Sequence, residues 1–471
     1  MTTQTSSPPP VSASPRLLFD FSFTVLNNEE EPTRNDVESE IVTRKIPTPD
    51  RWAGTPASVV GQRSTVVMLR AMLTYADALA LLTALDLTPM SEPLALGDAA
   101  GRVLAHDIRL ASDQPPFDRA TMDGYALCLK PETTAYTVRG VVYAGSIFSD
   151  TLQPGEAVRI MTGAPVPSGT TVVPHELSDR GEHIVVITDP TARMPARNIA
   201  WRGEDGRAGA VLVKAGTRLS PMALSVAAMA GAATITVARA PRLALVTTGD
   251  EVGGSGPAGI IDSNGPFLSG FAASLGLTAV RAHASDHADA VRATLEAATK
   301  NAEVIVTTGG VSAGAKDLIP AVAAELGFTT IFHHLAIQPG KPVLVMKRGH
   351  HFLVGLPGNP VSVVATAHLI LLPLLCRLLG APAPTWLELP LTAPTGNRGQ
   401  RQLFLPARLT SGGVAPIAWN GSGDLIAAAS GDGLIDLPIG SNISTGAMVR
   451  FLPFVGWQPG NTAQLPKRAP R

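Results

Sequence analysis

Thiols are nearly missing from this chain, and charges are sparse. Two cysteines in 471 residues, Cys128 and Cys376, exclude a disulfide framework and a thiolate-rich metal site. Both sit among apolar neighbours and read as small buried hydrophobes in a reducing compartment, taken here as the cytoplasm. Charged residues make up 16% of the chain and the net charge is −1, so neither nucleic acid nor a membrane surface is expected as a partner through bulk charge. The N-terminus has no basic segment followed by an apolar run, and no secretory signal is expected. Long apolar runs are scarce too. The longest, 361–379, carries Ser362, Thr366, His368, Pro373 and Arg377, which a membrane span tolerates poorly. It reads as a core helix with Asn359 as N-cap and Pro360 in its first position. There is no tandem repeat.

Turn-formers are what the chain has in quantity. With 45 glycines and 40 prolines, it predicts many short elements joined by tight turns. Its length and 45% hydrophobic content suffice for two to four domains with real cores. Residues 1–66 are Ser/Thr/Pro-rich, then acidic and polar, and predict a disordered tail. Thr74 opens a helix with Asp77 in its first turn, and Ser220, Pro221 and Gly231 bracket another. These fall in a helical domain split between 67–115 and 206–240. Short β-patterned runs such as YTVRGVV, AVRIM and TVVPHE predict a β domain, 116–205, inserted into it. Over 241–383 strand and helix patterns alternate, which implies an α/β domain with a parallel sheet covered on both faces. Short strands return over 384–457, a barrel-like or sandwich β domain with no evident chemistry, and 458–471 reads as a frayed tail. The fold class is therefore multidomain α/β plus β.

The stretch with the clearest chemistry is 304–320, VIVTTGGVSAGAKDLIP. Four apolar or β-branched residues read as a buried parallel strand, a glycine-rich turn follows, and Asp317 stands where a helix should start. Free backbone N–H groups and a helix dipole at such a turn favour an anion. Ligands in these sheets bind at the carboxyl ends of strands. Those ends carry TTGDE (247–251), the 307–317 turn and GLPGNP (355–360); the loop QPGKP (338–342) precedes a strand, so its end of the sheet is left open. In FDRATMDGYA (117–126), Asp123 is either presented by an ordered loop or simply shapes a turn before Gly124. The histidines offer little. His283 and His287 need not share a face, and the neighbours in His333–His334 and His350–His351 are expected to point apart.

Eight motifs in order, PPFDRATMDGYA, VRIMTGAPVPSGTTVVPHE, RGEDGRAG, TTGDEV, DSNG, TTGGVSAGAKD, QPGKP and LPGNPVS, resemble the MoeA/gephyrin E-domain family, the molybdopterin molybdenumtransferases. The resemblance runs from about Leu73 to Val455 and leaves out the N-terminal tail. It implies four domains, with 241–383 as the molybdopterin-binding one, and an elongated homodimer whose active site is shared between subunits. The implied reaction takes adenylylated molybdopterin and molybdate, hydrolyses the adenylate, and releases AMP and molybdenum cofactor, with Mg2+ required. A molybdopterin adenylyltransferase and apo-molybdoenzymes are the implied partners. By motif, the resemblance puts acidic roles on Asp123, Asp205, Glu251, Asp286 and Asp317, with Thr162 as the matching hydroxyl. Asp317, Glu251 and Asp286 would surround phosphate and metal, while Asp123, Thr162 and Asp205 arrive from the other subunit. Substrate contacts would come from Thr248, Gly249, Ser263, Asn264, Gly309, Gly310, Ser312, Gly314, Gln338, Lys341, Pro357, Asn359 and Ser362. Without the family, Asp286 and Asp317 also fit as ordinary helix N-caps.

Three departures bear on activity. Gln338 stands where relatives have the first lysine of KPGKP, His334 where bacterial relatives often have another, and Ala200 where they often have arginine. Gln338 donates a hydrogen bond but supplies no charge, and Lys341 remains to take up part of the role. The departures motivate an alternative, a diverged carrier or scaffold for molybdopterin without efficient insertion. A fused adenylylating activity is disfavoured because only one GGVSAG-type loop occurs.

Overall fold

The structure is a computed structural model that describes residues 72–253, 259–312 and 317–456. The two tails and Gly314 lie outside the described residues. The α/β part is built on six strands: β1 (Leu243–Thr248), β2 (Ala279–Ala284), β3 (Val304–Thr308), β4 (Thr329–His333), β5 (Leu344–Arg348) and β6 (His351–Leu356). They lie side by side in the order β2-β1-β3-β6-β5-β4. All residues of β1 and β3 are buried, as expected of strands covered on both faces. Successive side chains serve opposite cores. Leu243 and Leu245 pack with Val304, Val306 and the long helix, while Ala244 and Val246 pack with Ile305 and the helices Ala288–Asn301 and Ile319–Glu325.

The expected parallel sheet is present with one difference. β2, β1, β3 and β6 run parallel, but β5 is antiparallel to both of its neighbours. Arg348 pairs with His351, so only Gly349 (φ +58°) and His350 separate the strands, and a connection that short can join only antiparallel strands. The reversal settles the open end of the QPGKP loop. Leu344, the first residue of β5, lies opposite Gly355, near the carboxyl end of β6, so the loop arrives at the same edge as the other turns.

The long apolar run is a helix along Pro360–Leu378, the one described helix long and apolar enough to cross a membrane, and 83% of its most apolar 18-residue window is buried inside the protein. Its cap and first proline fall as expected, with Asn359 as N-cap. A wide π turn, Ala367–Leu371, precedes Pro373, whose missing N–H could not have served a regular turn there.

Around this core, helix Tyr75–Thr83 starts at a capping box between Thr74 and Asp77, and helix Pro221–Met229 at the Ser220 cap. Strand Ser91–Ala95 pairs with Thr234–Ala238, and Ile108–Arg109 with Val211–Val213. Between those paired segments a five-stranded sheet forms, in the order Thr171–Pro174, Gly124–Leu127, Glu156–Ile160, Ala135–Val142, Ile184–Val186. A C-terminal sheet runs from Ile337–Gln338 through Gln402–Thr410, Gly433–Leu437 and Met448–Pro453 to Leu387–Pro390.

His368 joins the long helix to the end of the C-terminal sheet. Its ring is 1% exposed, among Phe267, Phe271 and Phe454. Nδ1–H donates to the Val364 carbonyl at 2.7 Å, and Nε2 accepts the Val455 N–H at 2.9 Å, which assigns a neutral ring. Burial pushes its pKa down to about 4. Between that value and an ordinary pKa near 6.5, the unfolded chain binds a proton that the folded chain refuses. Stability present above pH 6.5 should therefore be lost as the pH falls toward 4, by on the order of 3 kcal/mol. Urea unfolding at pH values across that window measures it, and His368→Leu should flatten the slope by one proton.

Candidate active site

The register places three strand ends level. Thr247 lies opposite Thr308, and Thr308 opposite Leu356. From this edge the backbone turns sharply at glycines in positive φ. A Cβ on Gly309 (φ +83°) would stand 2.8 Å from Thr248 Oγ1, and one on Gly310 (φ +67°) 3.0 Å from Ile319 Cγ1. Thr248 Oγ1–H donates to the Thr308 carbonyl at 3.1 Å, and Gly309 N–H to the Leu356 carbonyl at 3.0 Å. The Gly309–Gly310 turn is thus tied to its neighbours on both sides. Ser312 is exposed beyond it, and Asp317 is half-buried where the chain returns to the helix.

Glu251, Asp250 and Asp286 gather on the β1–β2 side. The Glu251 carboxylate folds back over Gly249 (φ +121°), where a Cβ would meet Oε2 at 2.7 Å. Asp250 Oδ1 accepts the Asp286 N–H at 3.1 Å, bringing the turn after β2 to the turn after β1. A cavity of about 370 Å³ opens beside them, lined by Thr247, Asp262, Arg281 and His283. Asp262 pairs with Arg281 at 2.5 Å and accepts the Gly265 N–H at 2.8 Å, which fixes the Ser263–Asn264 turn. Asn264 Nδ2–H donates to the Gly358 carbonyl at 2.8 Å and so holds the loop containing Pro357.

On the other side lies the Gln338–Lys341 loop. Gly340 (φ +108°) packs so closely on the long helix that a Cβ would be 2.4 Å from Thr366 Cγ2. Lys341 is exposed, and Ser362 is buried in the first turn of the helix. His333 and His334 do not point apart. Their rings stack at 3.9 Å, because His334 adopts φ +64° and leaves the strand geometry that would separate them. His350 and His351 likewise meet at 4.1 Å, one of them in the tight turn. His333 Nε2 lies 2.7 Å from the Val311 carbonyl in the glycine turn. Burial, then the positive charges of His333 and Lys341, hold the His334 pKa down at about 4 against the pull of Asp317. His334 is therefore a neutral imidazole at neutral pH, close to both Lys341 and Asp317.

Asp123, Thr162 and Asp205 stand on the inserted β region. Asp123 Oδ1 accepts both the N–H and Oγ1–H of Thr162, at 2.6 and 2.7 Å. Those bonds, with the charges of His175 and Arg159, keep its carboxyl below the usual range. Asp123 sits in a bend just ahead of the strand that Gly124 opens, and Gly124 is required there because a Cβ would overlap the Val173 carbonyl. Asp205 pairs with Arg119 at 3.7 Å, both exposed. Asp286 and Asp317 each stand one residue ahead of the N-cap. His287 stays extended as one N-cap and Leu318 is the other, the second helix beginning just ahead of Pro320.

Three regions of this chain match known families in order: the MoeA N-terminal region (domain I and II) over 73–231, a probable molybdopterin binding domain over 244–377, and the MoeA C-terminal region (domain IV) over 388–454. A Mycobacterium tuberculosis protein, molybdopterin molybdenumtransferase 2, is 33% identical over 374 residues, 74% of this chain and 91% of its own. The chain belongs to the MoeA family. Molybdopterin molybdenumtransferase of Staphylococcus aureus is 30% identical over 367 residues, 74% of this chain and 87% of its own. Two crystal structures of the MoeA protein of Pyrococcus horikoshii match with TM-scores of 0.71 and 0.69, at 30% and 26% identity, covering 82% and 81% of this chain and all of theirs.

Within this MoeA chain, several positioning residues escaped the sequence reading. Asp250 and Asp262 sit inside the quoted motifs TTGDEV and DSNG, where their carboxylates could have been read as loop ties. Ser422 had no signal at all. It accepts Asn359 Nδ2–H at 3.0 Å through Oγ and Val361 N–H at 3.0 Å through its carbonyl. Ile337–Gln338 also pairs with Gln402 and Leu403 as an edge strand of the C-terminal sheet. The C-terminal region, expected to carry no chemistry, thus holds two of the site loops.

Glycine packing at the turn yields a direct test. Gly309→Ala meets both a positive φ and the Thr248 hydroxyl, whereas Gly253→Ala (φ +75°) meets the φ alone, with no atom of the described residues within 4 Å. In denaturant titrations Gly309→Ala should lose about 2–4 kcal/mol and Gly253→Ala about 1 kcal/mol, the difference measuring the close approach.

Proposed function

We propose that this chain inserts molybdenum into molybdopterin, taking adenylylated molybdopterin and molybdate and releasing AMP and molybdenum cofactor. The observation that carries the reading is the convergence, at one edge of one sheet, of the glycine turn at 309–312, the carboxylates of Glu251 and Asp286, and the loop bearing Lys341. Glycine turns with free N–H groups suit the phosphates of such a substrate. Asn264 and Asp262 hold the neighbouring loops still while it binds. Hydrolysis breaks the phosphoanhydride between the pterin phosphate and AMP, with water supplying the new P–O bond. A carboxylate of the Glu251, Asp286 and Asp317 group takes up the water's proton. His334, uncharged, donates a hydrogen bond where a lysine would supply charge, and leaves Lys341 as the cation of its loop.

Among the described residues no three His, Cys, Asp or Glu side chains converge as a ready-made metal cage. Magnesium does not require such a cage, since it keeps several waters and usually takes one or two protein carboxylates beside substrate phosphates. One or two of Glu251, Asp286 and Asp317 would hold it, and it would neutralise phosphate charge. The dithiolene supplies the sulfur for molybdenum, so a cysteine-poor protein fits.

Asp123, Thr162 and Asp205 hang on a framework of their own, the Asp123–Thr162 bonds and the Arg119 pair. This supports a homodimer in which they complete the site of the second subunit. A molybdopterin adenylyltransferase would supply the substrate in the cytoplasm, and apo-molybdoenzymes would take the product.

Single-turnover assays of AMP release, with reconstitution of an apo-molybdoenzyme, test the reaction. Molybdate-dependent AMP release is the expected result; tight pterin binding without AMP release would instead make the chain a carrier. Asp317→Ala and Asp123→Ala should each abolish release while keeping the native circular dichroism. Heterodimers made by co-expressing the two variants should regain roughly half the wild-type activity, because one of two sites is then intact. No recovery would mean that both residues serve a site within one subunit.

A further inference from the structure

The far edge of the α/β sheet, where the parallel strands begin, holds a cavity of about 450 Å³. That is within the size range of small-molecule sites. Leu87, Pro241 and Leu378 form apolar walls, and Phe352 the floor. β5, β6 and the long helix each run from the loop edge to this cavity, so six-residue β6 alone separates the two by roughly 20 Å. The cavity is therefore no part of the site described above.

Its lining charges differ in how well they are paired. Glu303 is 7% exposed and shared by two guanidinium groups, Arg242 at 3.0 Å and Arg239 at 3.2 Å, with a further bond from the Arg242 N–H at 2.8 Å. Against the cost of burial, these contacts pull its pKa down to about 2, so it stays ionised and already satisfied. Lys347 lies 5.7 Å from the Phe352 ring and has no carboxylate partner among the described residues. Asp86 is exposed at the rim. Of the charges lining the chamber, Arg239 is held by Glu303 and Asp86 stands in solvent at the rim, which leaves the Lys347 ammonium as the charge inside without an ionic partner. A cation finds no free acceptor inside, and a wholly apolar molecule would bury that ammonium without a partner, which is costly.

We propose that this cavity is a second binding site, for a small organic monoanion with a compact apolar body. The body packs on Leu87, Pro241 and Leu378, and the anionic head pairs with Lys347 Nζ. The proposal does not rest on the molybdenum-insertion reading. Its test uses anilinonaphthalene sulfonate and its uncharged analogue phenylnaphthylamine, each titrated onto the full-length folded chain by calorimetry. One saturable site per chain is expected for the sulfonate, with much weaker binding of the analogue. Lys347→Gln should weaken the sulfonate about tenfold or more, and Lys347→Arg should largely restore it. Thr88→Trp, at an exposed rim position, should block it. The proposal is overturned if no saturable binding occurs, if the uncharged analogue binds equally well, or if Lys347→Gln and Thr88→Trp both leave binding unchanged.

Discussion

The level register of three buried parallel strands is the constraint on which the site depends. Because Thr247 faces Thr308 and Thr308 faces Leu356, the turns after β1, β3 and β6 leave the sheet at the same height. Their backbones can then touch: a Cβ on Gly358 would lie 3.8 Å from Gly309 Cα, and Gly309 N–H reaches the Leu356 carbonyl. A slip of one residue would turn each strand's buried set toward the wrong core and pull the turns apart. The two hydrophobic cores that hold the register are therefore also what positions the backbone of the glycine turn.

Much of this was legible in the chain itself, because the relevant signals are local. The Thr74–Asp77 capping box, the Ser220–Pro221 helix start and the Asn359–Pro360 cap depend on residues a few positions apart, and each falls where its motif put it. The glycine turn was legible for the same reason. What could not be read is non-local or directionless. An apolar strand pattern such as that of β5 is the same in either direction, and only the brevity of the Gly349–His350 connection reveals the reversal. The partner of Asp123 lies 39 residues away at Thr162, and the partner of Asn359 lies 63 residues away at Ser422. The stacked histidines depend on one positive φ at His334, which no residue pattern announces for a non-glycine residue.

The site's electrostatics follow from its burial. A charged imidazole at His334 would stand beside His333 and Lys341 in a half-desolvated place, and the protein keeps it neutral. Positive potential near the glycine turn then comes from backbone N–H groups and from Lys341, with Asp317 close by, while Glu251 and Asp286 lie on the opposite, β1–β2 side. A bound polyanion would thus meet donors on one flank and oxygen ligands on the other, an asymmetry that orients it without a dense cluster of basic side chains.

The way the β insert joins its host has a consequence for how the chain reaches this state. The segments that enter and leave it pair with one another, Ile108–Arg109 against Val211–Val213, and Arg109 bonds the Gly209 carbonyl across 100 residues of sequence. That contact cannot form cheaply while the intervening chain is unfolded, since loop closure over such a span must be offset before any reward. Once the five-stranded sheet has condensed, its two ends are already neighbours, and the host closes over a short gap instead of a long one. The topology therefore favours an order in which the interruption folds first and the domain it interrupts comes after.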